Sequence, residues 1–142
     1  MSIPTVLAID DSLVMHQLIK RALEPDYAVL ATDDPIDALT MLYHNPVDVV
    51  LLDISMPTID GLEVCRTIRN LPQFQHLPVV MVTARDSSFD RVQGYLAGTS
   101  EYLTKPFDAN QLRQTVQRLI DKMSASSQPT SADSPGSTVK TA

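Results

Sequence analysis

Apolar positions along this chain follow two periods. Short apolar runs occur at Thr5–Ile9, 27–31, 48–53 and 78–83, and a short mixed segment at 101–104 completes the series. All five read as strands, and those at 48–53 and 78–83, apolar between their ends, as buried ones, the first on both faces, because neighbouring side-chain positions there avoid water. Between them the apolar residues recur at helical spacing. A helix is predicted from Ser12 to Leu23, with Met15, Leu18, Ile19 and Ala22 as its buried stripe and Leu13 and Val14 off it. A second opens at Thr32-Asp33-Asp34-Pro35, runs to about His44 and carries Ala38, Leu39 and Leu42 inward. A third spans 62–69 with Leu62, Cys65 and Ile68 facing the core. A fourth starts at Ser87, with Asp90 completing an imperfect capping box, and ends at Gly98; Phe89, Val92 and Leu96 form its inner face. The last is capped by Asp108 and bears the stripe Leu112, Val116, Leu119, Ile120 and Met123.

Strands alternating with helices imply an α/β fold, a doubly wound parallel sheet covered on both faces by right-handed crossovers. Residues 1–123 form the predicted domain. Residues 124–142 are rich in Ser, Thr, Ala and Pro without apolar periodicity, and are expected to be disordered.

Composition narrows the class. The chain has 142 residues, 44% hydrophobic and 20% charged, as expected for one soluble globular domain. No apolar run approaches the roughly 18 residues of a membrane span, and the N-terminus lacks a basic region before a long apolar one. The single cysteine, Cys65, makes neither an internal disulfide nor a cysteine metal cluster. These features predict a cytoplasmic protein that does not bind membranes. A net charge of −6 argues against DNA as a partner and tolerates a divalent cation.

The candidate chemistry lies at the strand ends. Asp10-Asp11, Asp53, Thr83 and Lys105 each stand at the end of a predicted strand. In a parallel sheet every carboxyl end lies on one edge, where open α/β sheets place their ligands. Singly, each has a plain explanation: Asp53 and Asp10-Asp11 as caps, Thr83 as an ordinary strand end, Lys105 as a solvated charge. Together they gather around Asp53. Three carboxylates within about 5 Å repel by roughly 3 kcal/mol per pair at an effective dielectric of 20. Without a cation the site is expected to be strained, or one carboxyl pKa to rise. Magnesium suits such ligands, with manganese as a substitute. A carboxylate nucleophile, a divalent cation, an ammonium and a hydroxyl are the parts that phosphoryl transfer requires. His16, His44 and His76 are too scattered in sequence to suggest a metal.

The motifs Ile9-Asp10-Asp11-Ser12, Leu51-Leu52-Asp53-Ile54-Ser55-Met56-Pro57, Asp60-Gly61, Val82-Thr83-Ala84 and Tyr102-Leu103-Thr104-Lys105-Pro106-Phe107 carry a resemblance. Across about residues 4–123 the chain resembles the receiver domain of bacterial two-component response regulators. The resemblance implies a flavodoxin-like five-stranded sheet in the order 2-1-3-4-5. It implies that Asp53 takes a phosphoryl group from a histidine kinase or phosphotransfer protein. It implies that Asp10 or Asp11, Asp53 and the Ser55 carbonyl hold magnesium, with Asp11 favoured as the direct ligand of the first pair. Thr83, Ala84 and Lys105 would bind the phosphoryl group, and the Lys105–Pro106 bond would be cis. Thr83 and Tyr102 would switch, Tyr102 turning inward, and so change the partner affinity of the face made by the fourth helix, fifth strand and fifth helix. Ser55 and Arg85 stand where the family varies the lifetime of the phosphate. Ser87-Ser88-Phe89-Asp90, with Gly94 and Gly98, is similar to single-domain regulators of chemotaxis and twitching motility.

The reading is therefore a stand-alone phosphoacceptor signalling domain, not an enzyme, since no output domain follows the last helix. It would act as a monomer or a phosphorylation-dependent dimer, by binding a target or relaying the phosphate. The alternative is an aspartyl-phosphate-forming phosphatase or phosphotransferase. Dehalogenase-type enzymes of that kind place a second Asp two residues after the nucleophile as general acid; here Ser55 stands there. A nucleotide-binding Rossmann module would need a Gly-rich first turn, which this chain lacks.

Overall fold

The computed structural model describes residues 3–57 and 59–127. Its elements follow in the order β1 (Thr5–Ile9), α1 (Leu13–Leu23), β2 (Ala28–Thr32), α2 (Pro35–His44), β3 (Val49–Leu52), α3 (Gly61–Asn70), β4 (Val79–Thr83), α4 (Ser88–Ala97), β5 (Glu101–Thr104) and α5 (Ala109–Ser127), with a short 3-10 turn at Pro72–Phe74. The strands form one parallel sheet in the order β2-β1-β3-β4-β5.

Side-chain alternation on the strands sorts the core into two layers. Leu7, Ile9, Val50, Leu52, Val79 and Met81 face one side, where α2, α3 and α4 contribute Ala38, Leu42, Cys65, Ile68 and Ala97. Val6, Ala8, Val49, Leu51, Val80 and Val82 face the other, packed by Ile19 and Leu23 of α1 and Leu112, Val116 and Leu119 of α5. Among the described residues no helix is long and apolar enough to cross a membrane.

Helix starts follow local chemistry. Ser12, Asp34 and Asp60 each cap a following helix through a side-chain oxygen that accepts a backbone N–H. The capping box on α4 is complete, not imperfect: Asp90 N–H donates to Ser87 Oγ, and the Asp90 carboxylate accepts from the Ser87 amide. Aspartate at the third position suffices.

Several burial expectations are corrected. The α1 stripe is centred one residue over: His16, Ile19, Ala22 and Leu23 are buried, while Leu18 is 43% exposed. A polar residue occupies the inner face because its imidazole finds a partner there. In α3, Val64 is buried and Leu62 only partly so. The largest departure is α4. Phe89, Val92 and Leu96 are exposed, at 68%, 53% and 75%, and the helix buries Gly94 and Ala97 instead. The Tyr102 ring lies beneath α4 so closely that a Cβ on Gly94 would come within 3.0 Å of it. Small residues let the helix approach, and the large ones are left on the outer side. On α5, Ile120 is partly buried and Met123 is 38% exposed. That helix continues to Ser127, so the boundary expected at residue 124 falls inside it. The predicted disorder of the remaining tail lies outside the described residues.

Candidate functional site

The register of the sheet builds the site. Ile9 pairs with Leu52, so the next residues along, Asp10 and Asp53, emerge side by side. Their backbones are still held to the sheet: Asp53 N–H donates to the Ile9 carbonyl at 3.0 Å and Asp10 N–H to the Thr32 carbonyl at 3.0 Å. Thr83 pairs with Thr104, which places Lys105 at the same edge, its N–H 2.8 Å from the Thr83 carbonyl.

Asp10 and Asp53 are buried and Asp11 is exposed, yet carboxylate oxygens from all three lie within 4.8 Å of one another. Lys105 Nζ sits between the two buried ones, 2.8 Å from Asp10 Oδ2 and 3.2 Å from Asp53 Oδ2. The other Asp53 oxygen, Oδ1, accepts from the Ser55 amide at 2.9 Å and the Ser55 hydroxyl at 2.8 Å. Ser55 Oγ is in turn 3.5 Å from Thr83 Oγ1.

At Asp53 these contacts leave no rise in the carboxyl pKa. Burial pushes the Asp53 carboxyl up, but the Ser55 amide and hydroxyl and the nearby Lys105 ammonium more than offset it, and the net shift is downward. Burial likewise pushes Lys105 down, and Asp10 and then Asp53 outweigh it, so its ammonium is held above the ordinary range. Lys105 already supplies part of the compensation that the sequence assigned to a cation. Three carboxylates against one ammonium still leave an excess of negative charge and hard oxygen donors. That donor set fits magnesium or manganese.

Gly61 closes the site from behind. A Cβ there would lie 2.4 Å from Ile54 Cα and 2.5 Å from the Asp53 carbonyl oxygen. Only a residue without a side chain lets α3 begin so close to the Asp53 backbone.

The remaining candidates cluster on the loop after β4. Thr83 is fully buried and its hydroxyl accepts from the Arg85 amide at 3.3 Å. Ala84 follows it and is exposed. The Arg85 guanidinium pairs with Asp90, at 2.9 Å. Tyr102 is already inward: it is 8% exposed, and its hydroxyl donates to the Arg85 carbonyl at 2.5 Å. The Lys105–Pro106 peptide is cis, as is Glu24–Pro25.

Two contributions escape a reading of the sequence. One is the Ser55 hydroxyl, which bonds Asp53 directly. The other is His16, whose Nε2 lies 2.6 Å from the Asp10 carbonyl oxygen. Its only signal in the sequence is a histidine shortly after an acidic pair, on a helix that otherwise buries apolar residues.

Comparison with known proteins agrees with this geometry. Residues 6–117 match the family described as response regulator receiver domain. Response regulator MprA of Mycobacterium sp. (strain KMS) is 37% identical over 134 residues, covering 94% of this chain and 56% of its own length. The chain thus spans about half the length of that relative. Chemotaxis protein CheY4 of Vibrio cholerae superposes with a TM-score of 0.78 at 30% identity, covering 83% of this chain and 99% of that one. The receiver domain of the sensor histidine kinase PA1611 from Pseudomonas aeruginosa, whose structure holds a magnesium ion in the active-site cleft, does so with a TM-score of 0.77 at 29% identity, covering 84% and 99%.

Proposed function

The chain belongs to the response regulator receiver domain family, and we propose that Asp53 is the residue through which it receives its phosphoryl group. The receiver domain is a phosphoacceptor signalling module with its own self-phosphorylation chemistry rather than an enzyme acting on a separate substrate, and the Asp10, Asp11 and Asp53 cluster is able to coordinate a metal. The observation that supports Asp53 most is its position: a buried carboxylate at the end of the central strand, between the Ser55 donors and Lys105.

In this reading a phosphohistidine on a kinase or phosphotransfer protein is the donor. The P–N bond breaks, a P–O bond to the Asp53 carboxylate forms, and the departing imidazole nitrogen takes up a proton. Asp10, Asp11, Asp53 and the Ser55 carbonyl would hold magnesium, which when bound supplies positive charge against the phosphoryl oxygens. Lys105 moves its ammonium from the two carboxylates to a phosphoryl oxygen. The Thr83 hydroxyl and the Ala84 amide approach the same group, and Ser55 and Arg85 flank it and set its lifetime. Withdrawing Thr83 from Arg85 disturbs the loop that the Tyr102 hydroxyl holds. The exposed face of α4, with β5 and α5, then presents a different surface to a downstream protein. In this reading the chain works in the cytoplasm, beside such partners.

Binding of beryllofluoride in the presence of magnesium, followed by fluorine NMR, tests this assignment. Bound resonances are expected for the wild type and none for Asp53→Asn. Equal binding by both proteins rules Asp53 out.

A further inference from the structure

We infer that His16 is a positioning residue for the metal-binding loop, holding the Asp10–Asp11 peptide in the orientation that presents both carboxylates to one cation. The inference rests on the reading that Asp10, Asp11 and Asp53 bind a divalent cation.

Asp10 is tied at every polar atom. Its N–H donates to the Thr32 carbonyl at 3.0 Å. Its Oδ1 accepts from the Ser12 amide at 2.9 Å, and its Oδ2 from Lys105 Nζ at 2.8 Å. Its carbonyl oxygen accepts from His16 at 2.6 Å. A carbonyl can only accept, so Nε2 carries the hydrogen. Two of these four partners are backbone groups and a third is the lysine of the site. His16 is the remaining one, a side chain from α1 outside the acidic cluster.

The position argues for the bond rather than for packing. His16 is buried on the face that carries Ile19 and Leu23 into an apolar layer. An aliphatic side chain would fill that place without bringing polar atoms into it. What the imidazole adds is a donor for a carbonyl just past the end of β1. Without it that buried oxygen loses its partner, and the peptide must turn to find another. The same peptide unit carries the Asp11 N–H and fixes the direction in which the Asp11 side chain departs. A rotation there separates Asp11 from Asp10 and Asp53, whose oxygens now lie within 4.8 Å of its own.

Isothermal titration calorimetry with magnesium chloride tests this on the wild type, His16→Leu and His16→Gln, beside metal-free melting curves of each. Partners that orient a ligand are worth about 10-fold in metal affinity, so His16→Leu is expected to weaken magnesium binding by about that factor. His16→Gln keeps an N–H donor and is expected to recover most of the loss. His16→Met, apolar and unbranched, replaces the leucine variant if that one does not fold. Wild-type affinity in a folded apolar variant, even with a lowered melting temperature, shows a packing role and overturns the inference. So does a glutamine variant as weak as the apolar one. Failure of the wild type itself to bind magnesium overturns the reading of the acidic cluster, and the role built on it with it.

Discussion

Lys105 lies nearer to Asp10 than to Asp53: its Nζ is 2.8 Å from Asp10 Oδ2 and 3.2 Å from Asp53 Oδ2. The ammonium is shared by two buried carboxylates and only lightly exposed itself. Removing it leaves both uncompensated, which in buried pairs is strongly destabilising. Lys105→Met is therefore expected to lower metal-free stability by about 2 kcal/mol, after allowance for partial solvent access. Magnesium should then stabilise the variant more than the wild type, since the site has lost its internal cation. Chemical denaturation with and without magnesium measures both effects. A variant as stable as the wild type without metal contradicts the bridging role.

The pH dependence follows from the same contacts. Asp53 is held below its ordinary value of 3.8 despite its burial, by Ser55 and Lys105. Its contribution to stability is present above that ordinary value and is lost as the pH falls through the depressed one. Lys105 is held above its ordinary value of 10.5, against its burial, by Asp10 and Asp53. Its contribution is present below 10.5 and is lost as the pH rises through the raised value. The stability gap between metal-free wild type and Asp53→Asn should be flat through neutral pH and close as the pH drops below about 4. Acid titration of the unfolding free energy reads this, and a gap that widens in acid contradicts it.

Gly61→Ala is expected to damage fold and site together. The added methyl would meet Ile54 Cα at 2.4 Å and the Asp53 carbonyl at 2.5 Å, both of them backbone. Overpacking of this kind costs about 1–3 kcal/mol. Relief requires the Asp53 segment to move, so phosphorylation by acetyl phosphate should slow beyond the loss of folded protein. An alanine variant with wild-type rate and stability refutes the close packing.

Most of the fold is legible in the sequence, because four of the five strands are short, mainly apolar runs and each strand ends at a turn or a polar group. Asp10, Asp53, Thr83 and Lys105 could be placed on one edge from strand ends alone. What escaped depends on neighbours that no local pattern reveals. The spacing of Phe89, Val92 and Leu96 identifies a stripe but not which side of it meets the sheet. Tyr102, supplied by the next strand, takes up the room and turns that stripe outward. His16 is concealed for the converse reason: its partner is a backbone carbonyl, which has no letter in the sequence.

The outward stripe on α4 gives a direct contrast. A buried leucine truncated to alanine costs about 2–5 kcal/mol, whereas an exposed one stays within about 0.5 kcal/mol. Leu96→Ala is expected to fall in the second range. Urea denaturation decides this. A loss of several kcal/mol would put Leu96 in the core and contradict the packing described.

The most direct test is intact-protein mass spectrometry after incubation with acetyl phosphate and magnesium. The wild type is expected to gain the mass of one phosphoryl group, with none on Asp53→Asn and none when a chelator removes the metal. A variant lacking the Asp53 carboxylate that still takes up one phosphoryl group would contradict the assignment on which the rest depends.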